Sequence, residues 1–340
     1  MSAAVELGES EVSPSLLVDA MIAYGKTAAI KAAIELDLFT MIGSGDRTAE
    51  ALAATAGGSE RGFRTLCDYL VVKGFLTKSG QIYALTPSSE VFLDRRSPAY
   101  MGAAIEFMAA PEMVSLFLDD PVAYVRNGGA LGLANIAADN PVWVKFARGM
   151  GAFTGGSAAS VAAEIKAWPS PPKKVLDIAA GPGGFGIEIA KAVPSARIVA
   201  LDWASVLALT KENASKAGVV DRFSFISGSA FEVDWGADYD LILLPNFLHH
   251  FDAETCVDLL KKARASLGAG GKVLAVEFVP NEDRVSPDFP AGFSWVMLAT
   301  TPKGDAYTKS ELAEMGRQAG FGDMVTKELL PSPATMITFE

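Results

Sequence analysis

Between Val175 and Trp203 the chain reads VLDIAAGPGGFGIEIAKAVPSARIVALDW. A short apolar run carries an acid, Asp177, close to its end. Small residues and the Gly181–Gly184 turn follow, then a helical stretch, then a second apolar run, Arg197–Asp202, that closes on another acid. Gly181 and Gly183 let the backbone turn sharply and approach a ligand with no Cβ in the way. The first turn of the following helix offers free amide hydrogens to a polar or anionic group. Asp202 ends the second strand, where a carboxylate can accept both hydroxyl protons of a ribose. Together these features predict a binding unit for an adenosine-containing cofactor.

The same rhythm continues beyond this unit. Lys174–Ala179, Arg197–Asp202, Phe223–Ser227, Tyr239–Pro245 and Lys272–Val279 read as strands, and Gly186–Ala192, Val206–Ala217 and Ala253–Leu267 as the helices between them. Strands alternating with helices at this spacing imply a doubly wound α/β fold, a mainly parallel sheet covered on both faces. Ligands of such sheets sit beyond the C-terminal ends of the strands. Upstream, Ser13–Phe39 predicts one helix, and Asp46–Thr55 and Glu60–Lys73 predict two more. Phe75–Leu85 predicts a hairpin turning at Lys78-Ser79-Gly80. Helices followed by a hairpin is the pattern of a winged helix. Residues 98–168 read as helical and irregular, and the proline-rich stretch Trp168–Pro172 reads as a linker. The expected division is therefore a winged-helix module over 1–97, a helical connecting and substrate-covering region over 98–168, and a cofactor-binding domain over 169–340.

A winged helix raises DNA binding, but phosphate contacts need a concentrated positive face. Arg61, Arg64 and Lys73 on the would-be recognition helix stand against Glu60 and Asp68, the first hundred residues hold more acids than bases, and the whole chain carries a net charge of -11. We therefore expect no nucleic-acid partner and assign the module to dimerisation or substrate covering. The N-terminal MSAAVELGESEVSP lacks the basic-then-apolar order of a secretory signal. The uncharged run Gly149–Ala163 is too short and glycine-rich to span a bilayer. Two cysteines, Cys67 and Cys256, fit a reducing cytoplasm and leave no material for a multi-thiolate centre. Only two histidines occur, the adjacent His249 and His250, so no metal is expected.

Gly181–Gly186 matches GxGxxG, so a nicotinamide dehydrogenase has to be weighed. Asp177, just ahead of the turn, speaks against it: a pyrophosphate would be repelled, whereas a cofactor with an amino group and a cationic centre would be attracted. This arrangement closely resembles the S-adenosylmethionine-dependent methyltransferases. Asp177, Gly181 and Gly183 fit their first motif and Asp202 fits the ribose-holding acid. Ala179 and Ala180 replace glycines common in that loop and are expected to preserve its path.

Over nearly the whole chain the resemblance is to O-methyltransferases that join a winged-helix dimerisation domain to this catalytic domain. Among them are plant phenol, hydroxyindole and bacterial secondary-metabolite enzymes. Their L-H-D-W motif is matched by Leu248-His249-His250-Phe251, and the acid that supports their histidine by Glu277. The resemblance implies that His249 is the general base and Glu277 its orienting partner, that S-adenosylmethionine is the methyl donor, and that the protein is a homodimer acting on a small aromatic or polyketide-like hydroxyl acceptor. Where the family has G-D-M-F this chain has Gly228-Ser229-Ala230-Phe231, and the lysine before the histidine becomes Pro245, followed by Asn246. Ser229, Ala230, Phe231, Trp203, Pro245 and Asn246 are thus the expected cofactor contacts at the adenine end. The family's second supporting glutamate falls at Ala306, beside Asp305. Phe107, Met108, Trp143, Phe146, Met150, His250, Phe293 and Met297 are candidates for the acceptor wall, each weighed against ordinary core packing. Methylation at nitrogen or carbon, use of the cofactor as an electrostatic element in another reaction, and a non-catalytic winged-helix regulator are the alternatives.

Overall fold

The computed structural model describes residues 13–132 and 142–340. The N-terminal stretch read for a secretory signal therefore lies outside the described residues as far as position 12, and so does part of the connecting region, 133–141. Contacts divide the chain into two compact units, Met1–Ala109 and Ala110–Glu340.

In the first unit the single helix expected over Ser13–Phe39 is broken into α1 (Ser15–Met21), α2 (Ala23–Glu35) and the start of α3 (Leu38–Ser44). The second break is at Asp37, whose φ of 56° is left-handed, a conformation that short polar side chains tolerate better than most. The redirection buries Leu38, Phe39 and Ile42. Thr48 and Ser59 begin α4 (Ala49–Ala56) and α5 (Glu60–Val72), each hydroxyl accepting an amide of the first turn. Phe63, Cys67 and Leu70 share one face of α5 and are buried. β1 (Leu76–Ser79) and β2 (Ile82–Leu85) form the expected antiparallel hairpin, with Ser79 paired to Ile82. Arg64 and Lys78 both pair with Asp68, so two of the cations near α5 are spent locally. Helices α6 (Pro87–Leu93) and α7 (Ile105–Met108) complete the unit.

The second unit opens with α8 (Pro111–Leu118), α9 (Pro121–Asn127) and the long α10 (Val142–Lys166). There follow β3 (Lys174–Ile178), α11 (Gly184–Ala192), β4 (Arg197–Asp202), α12 (Ala204–Lys216), β5 (Phe223–Ser227) and β6 (Tyr239–Pro245). The chain ends through α13 (Ala253–Ser266), β7 (Leu267–Glu277), α14 (Asp288–Thr300), α15 (Lys309–Gln318), β8 (Met324–Glu328) and β9 (Thr335–Phe339). The seven strands are ordered β5-β4-β3-β6-β7-β9-β8; β9 runs antiparallel to both its neighbours, and the other pairings are parallel.

Strand order reverses between β3 and β6, so the crevice beyond their C-terminal ends is where such a sheet receives its ligand. The glycine turn leaves β3 there, and His249 follows β6 there. Near-continuous apolar strands such as Leu241–Leu244 are buried because helices cover both faces of the sheet. Val161 and Ile165 of α10 pack in one cluster with Val175, Ile189 and Leu274. Each such side chain contributes roughly 1.5–3 kcal/mol. The proline-rich stretch Trp168–Pro172 thus connects α10 to β3 within one compact unit.

Candidate active site

The glycine turn is fixed from three sides. Asp202 accepts the Gly181 amide on Oδ2 at 2.8 Å and the Trp203 amide on Oδ1 at 2.7 Å. From α12, the Thr210 hydroxyl donates to the Gly181 carbonyl at 2.7 Å, and the Asn213 amide donates to the Pro182 carbonyl at 2.9 Å. Gly183, with φ of 84°, caps α11, and a Cβ there would meet Thr210 Cγ2 at 2.7 Å. Ala179 stands at φ of 51°, a left-handed conformation that costs an L-residue about 1–2 kcal/mol.

Asp177 sits beneath this turn and is fully buried. Its Oδ2 accepts the Gly186 amide at 3.1 Å, while Oδ1 has no partner among the described residues. Burial pushes this carboxyl up to about 7, with Asp202 adding to the rise and the Gly186 amide opposing it. The negative charge that the sequence places beside a cationic cofactor therefore depends on pH, and it acts from below the turn instead of lining its surface. Burial also raises Asp202, against the pull of its two backbone donors.

At the end of β6, buried Pro245 gives way to Asn246, left-handed at φ of 53°, whose amide donates to the Val276 carbonyl at 2.7 Å. A single 3-10 turn, Leu248–His250, follows. Glu277 ends the neighbouring strand β7 and uses both oxygens on this turn. Oε1 accepts the Phe247 amide at 3.1 Å and the Leu248 amide at 2.8 Å, and Oε2 lies 2.5 Å from His249 Nδ1. His249 and Glu277 are both buried, and His249 Nε2 makes no hydrogen bond among the described residues. The imidazole is walled by Phe293, edge-on at 4.9 Å, and by Phe278 at 6.5 Å. Phe289 packs on Phe278 at 5.0 Å. The His250 ring lies 4.4 Å from that of His249 and has no carboxylate partner among the described residues. Burial and the neighbouring His249 hold its pKa well below the ordinary histidine value.

The remaining expected contacts fall in several places. Phe231 is about half exposed and packs edge-on against Phe251 at 5.1 Å, with Phe247 at 6.5 Å. Ser229 caps its own turn by accepting the Phe231 amide at 3.2 Å. Ala230 is buried in the core, its carbonyl bonded by Trp235 and Lys262. Trp203 and Trp143, given separate roles from sequence, flank the same small cluster of Ala147, Val206 and Leu209. Phe146 packs on Trp143, and Met150 is half-buried on α10. Met297 is buried, one turn past the Phe293 that faces His249. Phe107, buried, and Met108, exposed, belong to the first unit. Asp305 turns to Arg284 at 3.1 Å, and Ala306 is buried, so among the described residues the carboxylate found on His249 is Glu277.

Sequence reading missed Thr210, Asn213, Phe247, Phe278 and Phe289, and gave Phe251 no role beyond its place in the histidine motif. Phe278 directly follows the strand-ending acid, and Phe289 precedes Phe293 by one helical turn, so those two carried a usable spacing signal. Two surface clefts of about 580 and 650 Å³ lie elsewhere, one between α13 and α15 and one outside the glycine turn. Neither is lined by Asp202, His249 or Glu277, although the second touches Pro182 and Gly184 of the glycine turn.

The family model for the O-methyltransferase domain matches residues 115–322, most of the second unit, and that for the O-methyltransferase dimerisation domain matches 18–95. The chain belongs to the O-methyltransferase family. It is an S-adenosylmethionine-dependent methyltransferase, and the dehydrogenase reading of GxGxxG is set aside. Among solved structures, it is similar to one from Nostoc punctiforme, provisionally assigned as an O-methyltransferase. The identity is 47%, with a TM-score of 0.91 and coverage of 97% of this chain and 99% of that one. Among curated proteins, it is 27% identical over 313 residues to the tetracenomycin polyketide synthesis 8-O-methyl transferase of Streptomyces glaucescens, covering 90% of each chain. It is 26% identical to the 3-hydroxy-5-methyl-1-naphthoate 3-O-methyltransferase of Streptomyces sahachiroi, over 92% of this chain and 91% of that one. Among the described residues no helix is long and apolar enough to cross a membrane, and no group of three or more His, Cys, Asp or Glu side chains stands together as a metal set.

Proposed function

We propose that this enzyme methylates a hydroxyl oxygen of a small aromatic or polyketide-like metabolite, with His249 as general base. The observation that carries this reading is the 2.5 Å contact between His249 Nδ1 and Glu277 Oε2, which leaves Nε2 without a protein partner among the described residues, beside an aromatic wall. A carboxylate on Nδ1 keeps the proton on that nitrogen, so the lone pair is presented at Nε2. An aromatic hydroxyl, with a pKa near 10, is a poor nucleophile until its proton is removed. His249 takes that proton at Nε2, and Glu277 stabilises the imidazolium that forms. His250 lacks a carboxylate and is held neutral, so it serves as a contact surface for the acceptor.

The residues present suit the donor. Asp202 retains lone pairs at the end of β4 for a ribose diol, and Phe231, with Phe247 and Phe251, offers a flat apolar face for adenine. The Asp177 oxygen beneath the glycine turn, unpartnered among the described residues, supplies negative potential for a cationic group when that carboxyl is ionised. Pro245 and Asn246 edge this end of the site. When bound, S-adenosylmethionine supplies an electrophilic methyl on its sulfonium sulfur. Phe278, Phe289 and Phe293 exclude water around the imidazole and favour a flat acceptor. The names of the two curated relatives, which act on polyketide and naphthoate hydroxyls, support that acceptor class.

The test is incubation with methyl-labelled S-adenosylmethionine and a panel of phenols, hydroxyindoles and hydroxyquinones, followed by location of the label. Label on oxygen supports the reading; label confined to nitrogen or carbon refutes it. We further read the N-terminal unit as a winged helix that pairs two chains. The dimerisation match covers it, and α1 buries none of its residues while exposing Leu16, Leu17 and Met21.

A further inference from the structure

The backbone around His249 is held at more points than the Glu277 contact. Glu277 takes the amides of Phe247 and Leu248. On the carbonyl side, Cys256 Sγ donates to Leu248 O at 3.2 Å, and the Tyr307 hydroxyl donates to Phe251 O at 2.5 Å. Between Thr301 and Tyr307 the chain presses on the turn. Gly304, anchored by its amide on Thr301 Oγ1 at 2.8 Å, lies so close that a Cβ there would stand 2.2 Å from the His249 carbonyl oxygen. Tyr307 is buried, and burial pushes its hydroxyl above the ordinary tyrosine range, so it stays protonated and donates. Cys256 Sγ also reaches Phe251 O, at 3.9 Å, but its single proton lies closer to Leu248 O at 3.2 Å, so the Tyr307 hydroxyl is the shorter donor to Phe251 O.

We infer that Tyr307 is a positioning residue for the His249 ring, its hydroxyl fixing the C-terminal end of the turn while Gly304 admits the supporting segment against the His249 carbonyl. The inference rests on the reading of His249 as base. It explains how the imidazole keeps one orientation with Glu277 as its one carboxylate partner among the described residues. A base displaced by about 1 Å can lose on the order of 10²-fold in rate, whereas one neutral hydrogen bond is a small part of total stability. Removing the hydroxyl should therefore affect catalysis out of proportion to folding.

The experiment compares native enzyme with Tyr307→Phe, which keeps the ring and removes the donor. We expect kcat to fall about 10-fold, KM for S-adenosylmethionine to stay within about 2-fold, and the folded fraction by circular dichroism to be unchanged. The independent readout is the Nδ1 proton of His249 in 15N-histidine-labelled protein, assigned by its loss in His249→Ala; only two histidines contribute. In Tyr307→Phe that resonance should shift or broaden. An unchanged Nδ1 proton overturns the inference whatever turnover does. If His249→Ala turns over at the native rate, the base reading fails, while the resonance still decides whether Tyr307 holds the ring.

Discussion

Two adjacent histidines of the same intrinsic chemistry meet different partners. His249 receives a buried carboxylate at 2.5 Å; His250 is desolvated and has a histidine neighbour, which depress its affinity for a proton. The buried acid under the glycine turn can be tested by linkage. Asp177 is pushed up to about 7, whereas the unfolded chain releases that proton near the ordinary 3.8. Between those values the folded state binds more protons, so this residue makes stability fall as pH rises through the window and adds no further slope above it. The whole window corresponds to at most about 4 kcal/mol. In Asp177→Asn, which still offers an oxygen to the Gly186 amide, urea unfolding without donor should show a smaller loss of stability between pH 5 and pH 8 than the native protein. Identical pH slopes in the two proteins would refute the assignment.

The parallel strands of the second unit and the helices between them were legible because burial on both faces makes inner strands such as β3 and β6 apolar runs bounded by turn residues, whereas the antiparallel pair β8 and β9 was not read. β3, β4, β5 and β6 accordingly lie where the pattern puts them, and Asp177, Gly181 and Asp202 with them. The breaks within Ser13–Phe39 were not legible, because apolar spacing continues through Ile22 and Asp37 and nothing local announces that Asp37 turns left-handed. Spacing also says which side chains share a face, without saying what that face meets. Phe293 reaches the imidazole, Trp295 packs on Tyr124 at 5.3 Å, and Met297 is buried, a sorting that depends on α8 and α9 packing against α14. The same limit hid Tyr307 and Gly304, whose partners lie some fifty residues away in sequence. Asp177 lies in the strand just short of the turn, where the sequence puts it, while its full burial was not legible, since a strand residue just short of a turn can face either surface.

At the scale of the whole molecule, the first unit shows exposed apolar residues on α1 that a second copy would cover. Leu17→Asp combined with Met21→Asp should convert a dimer to a monomer in sedimentation equilibrium; an unchanged mass would exclude α1 from the interface. The proton on the acceptor hydroxyl can be reached directly through pH. Methyl transfer by native enzyme and His249→Ala should be followed under single-turnover conditions with saturating S-adenosylmethionine and a phenolic acceptor, from about pH 7 to about pH 10, the range over which the phenol ionises by itself. With His249 as base, the variant is slower by about 10²–10⁴-fold at the low end, and the gap closes as the acceptor loses its proton unaided. A gap of the same size across the whole range, or no gap at neutral pH, would contradict the account.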